Sequence, residues 1–441
     1  MKICRYITLS LSLCLSISST TQAFFLRPAN NKIYPLQPQE SDKDYVFSPD
    51  IRSVEFYREG WDLSLPVLEL GENLVLILEF DDLSDYGGMY QYTLQHCKSD
   101  WSPSDILPSD YLLGFHEGTL RNWESSRNTK VPYSHYRLSI PNEEMKPVIS
   151  GNYLLKVYRE YNPEDLVLTR RFFIVENRVN IEATARRTEN LEHFYTHQEI
   201  DFTINHPDLA IDDPLRMVRV AVCQNWDWDR ANFELEPTYI YPGQLVYDWE
   251  EENLFAGVNE FRYFDTKNLK YQSERIEQIL TRSQVTNVFL FADPVRSNLS
   301  YQFYEDLNGR FFIRWDEAHD SDLEADYVKV HFTMPFDGPL TGGDFYVWGG
   351  MTSWTLLPDA KMDFNPATRA YEASILLKQG YYNYQYRFKP DDAPADTSFS
   401  EGDHFQTENE YTILVYFSDI RERYDRLVGL RMINSAGKTL R

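Results

Sequence analysis

Adjacent aspartates are the first residues here whose type could support acid–base chemistry. They occur as three pairs: Asp81-Asp82, Asp212-Asp213 and Asp391-Asp392. Acid–base catalysis needs two carboxyl groups that face one cleft. Neighbouring residues on a strand point to opposite faces of the sheet, and aspartates beside Pro, Gly or Ser are common in turns. We therefore interpret these pairs as turn residues and predict no catalytic residue.

Histidines and acidic runs are the candidates for metal binding. His96, His116 and His135 belong to the same candidate domain and could approach in space, but zinc needs three or four ligands with matched geometry. A second candidate is the acidic stretch over residues 316–326, whose carboxylates could bind calcium. Calcium loops usually carry a Gly at the bend, and that Gly is missing here. We predict no metal, no cofactor and a solvated inter-domain linker over this stretch.

Tryptophans at strand ends are the strongest binding signal. Trp226 and Trp228 lie directly after a predicted strand, and Trp348 and Trp354 flank a Gly-Gly turn. Such rings can stack on a sugar, anchor a protein partner or cover a hydrophobic core. Nucleotide-binding loops and serine-hydrolase elbows are absent from the sequence. The aromatic candidates for partner binding are Phe115, Trp123, Trp226 and Trp228, and we predict a protein that is not an enzyme.

The charge balance excludes several partners. The chain has 441 residues with 68 acidic and 43 basic side chains, for a formal net charge of −25. Nucleic-acid binding through phosphates needs a basic excess, so it is not expected. Aromatic residues make up 15% of the chain, which favours β structure.

The N-terminus has the pattern of a secretory signal peptide over residues 1–23. Lys2 and Arg5 precede a short apolar run, and Ala23 ends a plausible cleavage site. No later apolar segment is long enough to predict a transmembrane helix. Cys97 and Cys223 then remain in separate candidate domains, so we expect no disulfide framework.

Period-two alternation defines the elements that must position these residues. It is clearest over 200–204, 218–222, 328–332, 382–388 and 411–417. We predict an all-β chain with little helix, built as three tandem immunoglobulin-like or early-set β-sandwich domains. The expected parts are a leader over 24–44, domains over 45–177, 178–325 and 326–441, and a long irregular insertion over 103–128.

Longer motifs resemble the type IX secretion system plug protein family. They include Leu78–Leu83, His96–Ser104, Ser150–Tyr158, Asn259–Asp265 and Arg423–Gly429, and their order matches over nearly the whole mature chain. The resemblance implies a periplasmic, non-enzymatic protein that plugs the inner opening of a giant outer-membrane β-barrel translocon when no substrate is engaged. It assigns no pore-contacting residue. We expect a monomer in isolation, without a transmembrane segment of its own.

The third domain separately resembles early-set sandwiches related to glycogen-binding modules. Asp344–Trp348 and Gly380–Tyr384 carry that resemblance. It supports the fold and leaves an alternative function open, in which an exposed Trp of the C-terminal sandwich binds carbohydrate. That alternative requires Trp348 or Trp354 to present a flat, accessible ring.

Overall fold

The computed structural model describes residues 42–84, 87–233, 235–282, 284–419 and 421–438. The predicted signal peptide and nearly all of the predicted leader lie outside the described residues. Within the described ranges, helix is limited to single turns: α1 (Pro108–Tyr111), α2 (Pro214–Met217), α3 (Ser321–Glu324), α4 (Ser398–Glu401) and three 3₁₀ turns. The remaining regular structure is β-strand, so the all-β prediction is confirmed.

Twelve strands between residues 45 and 175 form the first module. They are β1 (Tyr45–Val46), β2 (Ile51–Arg58), β3 (Val67–Glu69), β4 (Leu76–Asp82), β5 (Tyr90–Cys97), β6 (Leu112–Gly114), β7 (Gly118–Thr119), β8 (Trp123–Ser125), β9 (Ser134–Ile140), β10 (Met145–Pro147), β11 (Gly151–Arg159) and β12 (Leu166–Val175). One sheet has the order β1-β12-β11-β5-β7 with β3 beside β12, a second has the order β2-β4-β9-β8, and β6 pairs with β10. Alternate residues of both sheets share one core, so the two sheets face each other.

The second module begins with six strands. They are β13 (Asn180–Arg187), β14 (His197–Asn205), β15 (Val218–Gln224), β16 (Tyr239–Tyr241), β17 (Gln244–Tyr247) and β18 (Leu254–Ala256). Five of them form one sheet in the order β13-β14-β17-β16, with β18 also on β14. β15 is not part of that sheet.

The third module contains nine strands in one continuous sheet. They are β19 (Arg262–Asp265), β20 (Ile276–Leu280), β21 (Thr286–Leu290), β22 (Phe311–Ile313), β23 (Tyr327–Pro335), β24 (Gly343–Trp348), β25 (Lys361–Asn365), β26 (Ala370–Lys378) and β27 (Gly380–Pro390). Phe332 of β23 and Tyr384 of β27 are not on neighbouring strands, yet their ring centroids lie 5.1 Å apart. The sheet therefore folds back on itself around its core.

The last two strands return to the second module. β28 (Glu410–Ser418) pairs with β15 on one side and with β29 (Asp425–Asn434) on the other. These three strands form a sheet that covers the five-stranded sheet of β13, β14, β16, β17 and β18, and both sheets share one core. The third module is therefore inserted within the second. The expected division at residue 325/326 does not coincide with these sheets, because alternation identifies a strand without identifying its partner.

Candidate functional site: a three-way junction and an exposed insertion

The Asn225–Trp228 turn lies where the three modules meet. It follows β15 directly, and Asn225 and Trp226 adopt left-handed backbone conformations with φ of 49° and 62°. That conformation is uncommon for residues with a side chain. It aims successive side chains in different directions: Asn225 donates to Asn409 Oδ1 at 2.7 Å, while Trp226 packs on Phe173 of the first module.

Aromatic packing joins the first and second modules. The outer face of β11 and β12 contacts the outer face of the β15-β28-β29 sheet in one apolar cluster. Trp226 is buried there, 7% exposed, with Phe173 at 5.6 Å and Trp228 at 5.1 Å between ring centroids. Trp101 completes the layer, and the Arg171 guanidinium lies over its ring at 4.2 Å. The burial of Trp226 removes it as a surface contact residue, and Trp228 is half-buried beside it.

Asp227 joins the same turn to the third module. Its carboxylate accepts a hydrogen bond from Arg387 Nη2 at 2.5 Å, and both side chains are almost fully buried. The Arg387 guanidinium also lies 4.1 Å from the ring centre of Trp348. A buried charge without its partner is costly, so this pair requires the second and third modules to stay in register.

A buried polar cluster joins the first and third modules. Asp81 of β4 accepts hydrogen bonds from His135 Nδ1 at 2.8 Å, Tyr327 Oη at 2.7 Å and Lys378 Nζ at 2.7 Å. Tyr327 and Lys378 belong to the third module, and Asp81 is fully buried. The expectation that Asp81-Asp82 forms a turn is therefore wrong. The two side chains do point apart, since Asp82 accepts from Tyr90 Oη at 2.7 Å inside the first module.

His135 is held in its charged form at this junction. Burial alone would lower its pKa, but the hydrogen bond to Asp81 and the Glu79 carboxylate 3.9 Å away outweigh that effect and raise the pKa to about 9. The imidazolium and the Lys378 ammonium thus face the Asp81 carboxylate from the two modules. Charge complementarity at this point fixes how the modules dock.

The acidic stretch over 316–326 is part of the same junction rather than a solvated linker. Asp326 carboxylate oxygens accept from the backbone N–H groups of Lys130 and Val131 at 3.1 Å. The carbonyl of Asp322 accepts from Lys378 Nζ at 2.7 Å, and Leu323 is buried. The prediction of a solvated linker is corrected for residues 322–326, because hydrogen bonds with the first module dock them, whereas Asp316 and Glu317 are exposed.

The predicted insertion over 103–128 carries the exposed candidates. It contains α1 and three short strands, each paired to a neighbouring element, so it is more regular than expected. Phe115 is 65% exposed and Trp123 is 51% exposed. Sequence reasoning missed two other large apolar side chains here, Leu107 and Leu113, which are 67% and 65% exposed. Leu113 could have been found because it alternates with the buried Leu112.

The tryptophans of the third module do not form a flat sugar platform. Trp348 is 2% exposed, and Trp354 is half-buried with its ring centroid 5.0 Å from that of Trp348. Both rings cover Phe261. The carbohydrate-binding alternative required one of these rings to be open, and the burial of Trp348 counts against it.

The histidines of the first module are not brought together. His96 lies on β5, where Ser104 Oγ at 2.7 Å and the Ser150 carbonyl at 3.1 Å bond its two nitrogens, whereas His135 lies on the other sheet. Burial lowers the pKa of His96 to about 4, so it is neutral. His116 is exposed on the insertion.

The remaining reactive groups are isolated. His193 and His197, which have an H-x-x-x-H spacing that sequence reasoning missed, stack at 4.2 Å between ring centroids. No third ligand joins them in the described part of the chain. Cys97 and Cys223 are both free and buried, and burial raises the pKa of both thiols.

Comparison with known proteins defines the class. Residues 51–176, which coincide with the first module, match the model of the type 9 secretion system plug protein 1st domain. A crystal structure of a hypothetical protein from Parabacteroides merdae superposes with a TM-score of 0.86 at 35% identity, over 89% of this chain and 99% of that one. The search of curated proteins found no match.

The chain belongs to the type IX secretion system plug protein family. The resemblance predicted from the sequence motifs is thereby confirmed, and it associates the protein with a secretion-system translocon of the cell envelope. Among the described residues, no helix is long and apolar enough to span a bilayer.

Proposed function

We propose that this protein plugs the periplasmic opening of the outer-membrane type IX translocon barrel when no substrate is engaged. The observation that carries the proposal is that a plug-family first domain is locked to two further β modules by buried junctions. A protein that blocks an aqueous pore must keep its shape, so its modules must not move relative to one another. Separating the buried charged pairs and the aromatic layers costs free energy, and this cost provides that rigidity.

Contact with the barrel is assigned to the insertion of the first module. Large apolar side chains are exposed at Leu107, Leu113, Phe115 and Trp123. Leu113 and Trp123 lie on short, paired strands, whereas Leu107 directly precedes α1 and Phe115 directly follows β6. β8 is also the edge strand of its sheet, and its backbone groups can pair with another chain. A modest set of aromatic and aliphatic anchors within a polar surface suits an interface that must release. The role needs binding and no catalysis, and it places the protein in the periplasm.

The test is a Leu113→Ser, Phe115→Ser double variant in cells that carry the type IX system. Both side chains are exposed, so the fold should be retained. We expect at least a tenfold loss of co-purification with the solubilised barrel and a rise in small-solute permeability, because anchor residues dominate interface energies.

A matched control replaces an exposed aromatic of the third module. Tyr271→Ser, at a residue 72% exposed, should leave both readouts at the wild-type level. If the double variant co-purifies with the barrel and restricts permeability like the wild type, the contact surface lies elsewhere on the protein. Unchanged permeability in cells that keep the barrel but lack this protein would reject the plug function itself.

A further inference from the structure

Two acidic side chains lie side by side on the outer face of the second module. Glu199 and Asp201 are two residues apart on β14, and Ile200 between them faces the core. Tyr247, the last residue of β17, pairs with Phe202 of β14. Asp248 directly follows β17 in the chain and therefore lies opposite Asp201 of β14.

After Asp248 the chain leaves the sheet and then returns to pair with β14 again. It rejoins β14 at Leu254, which pairs with Glu199, and the Asn253 carbonyl accepts from the Ile200 N–H at 3.1 Å. The excursion includes Glu250, Glu251 and Glu252. We call Glu199, Asp201, Asp248 and Asn253 the β14 oxygen cluster.

The geometry of this cluster fits one hard cation. One carboxylate oxygen from each of Glu199, Asp201 and Asp248 lies within 4.8 Å of the other two. Calcium binds oxygens at about 2.3–2.6 Å, so two ligands on opposite sides of one ion are separated by up to about 5 Å. One ion can reach all three carboxylates without movement of the backbone.

Two buried oxygens in the cluster have no partner. Asn253 is 0% exposed, its Nδ2 donates to the Tyr247 carbonyl at 3.3 Å, and its Oδ1 has no hydrogen-bond partner among the described residues. Asp201 Oδ1 is also buried and without a partner there. Unsatisfied buried oxygens are costly, and a bound cation would satisfy both.

The charge of the cluster also suits a divalent ion. Arg186 bridges Glu199 Oε1 at 2.6 Å and Asp201 Oδ2 at 2.7 Å, which leaves Asp201 Oδ1 free of it. Three carboxylates and one guanidinium leave a formal charge of −2. All the candidate ligand atoms are oxygens, which calcium prefers and zinc does not.

We propose that the β14 oxygen cluster is a calcium site. The site is separate from the exposed insertion and does not depend on the plug function. The sequence-based calcium candidate over 316–326 is instead docked against the first module.

The experiment is calcium titration of the purified, EDTA-treated full chain by calorimetry and thermal unfolding. We expect a Kd of about 10⁻⁴–10⁻³ M, as in extracellular calcium modules, and a rise in Tm of about 2–5 °C at 10 mM Ca²⁺. Asp248→Asn, at an exposed position, should fold normally and bind calcium at least tenfold more weakly.

A matched control and three outcomes decide the proposal. Asp392→Asn, at an exposed turn residue of the third module, should bind calcium like the wild type. No calcium-dependent heat or Tm shift in the wild type would overturn the site. An undiminished response in Asp248→Asn would also overturn it, as would an equal response to Mg²⁺ at the same concentration.

Discussion

Asp81 shows what a local pattern can and cannot predict for a single residue. The rule that adjacent strand residues point apart correctly separates its side chain from that of Asp82. The rule does not predict burial, because Asp81 is satisfied by Lys378, which lies 297 residues further along the chain. Trp226 follows the same logic: the sequence marks it as a Trp at a strand end, and only its contact with Phe173 shows that it is internal.

Replacing His135 should remove a pH-dependent part of the stability. Its pKa in the folded state is about 9, above its ordinary value of 6.5. The charged imidazole therefore stabilises the fold fully below about pH 6.5, and that stabilisation is lost as pH rises through about 9. We expect denaturant unfolding to lose about 2–3 kcal/mol more between pH 6 and pH 10 in the wild type than in His135→Gln.

His404→Gln is the control for this pH dependence. Burial lowers the pKa of His404, so the titration of this residue should not contribute to the loss of stability at alkaline pH. An identical pH dependence of unfolding in wild type and His135→Gln would show that the imidazole is not charged at the junction.

At the scale of elements, alternation located strands well and their partners poorly. Val218–Val222 and Tyr411–Phe417 were both predicted as strands, and they are β15 and β28. That they pair with each other was not predicted, because a period-two run carries no information about register with a distant segment. The short strands of the insertion were missed because two or three residues are too few to show a period.

Removing β28 and β29 should open the core of the second module. Truncation before Glu410 deletes two of the three strands in the β15 sheet and exposes the core residues Ile204 and Tyr247. We expect this truncated chain to be insoluble or to bind a hydrophobic dye strongly.

Truncation before Lys438 is the matched deletion. It removes the exposed Lys438, its ion pair with Glu408 and the three residues that follow it in the sequence. It should unfold within about 1 kcal/mol of the wild type. A folded, soluble product from the longer truncation would contradict the insertion of the third module within the second.

At the scale of the whole molecule, the three modules share their interfaces. The Asn225–Trp228 turn contacts all of them, and the Asp81 cluster closes the contact between the first and the third. Independent sandwiches joined by flexible linkers would show no such buried ion pairs. The expectation of tandem domains therefore predicted the β-sheets but not the buried contacts that join the modules.

Asp227→Ala should lower the stability of the entire chain. It leaves the Arg387 guanidinium buried without its carboxylate, which costs about 3–5 kcal/mol. Calorimetry should show one transition shifted to lower temperature, since the modules unfold together.

Asp229→Ala tests the neighbouring exposed pair. Asp229 bonds Lys43 at 2.6 Å with both side chains open to solvent, so its loss should cost less than about 1 kcal/mol. Separate transitions, with only one displaced by Asp227→Ala, would argue against a single cooperative body.

The position of β28 also constrains the order in which the modules can fold during synthesis. A chain that emerges N-terminus first presents β15 long before its neighbour, and an unpaired apolar strand invites association with other chains. The second module can close only after the third has passed and the final strands have arrived. The final strands therefore complete the second module, and until they arrive β15 has no neighbour to cover its edge.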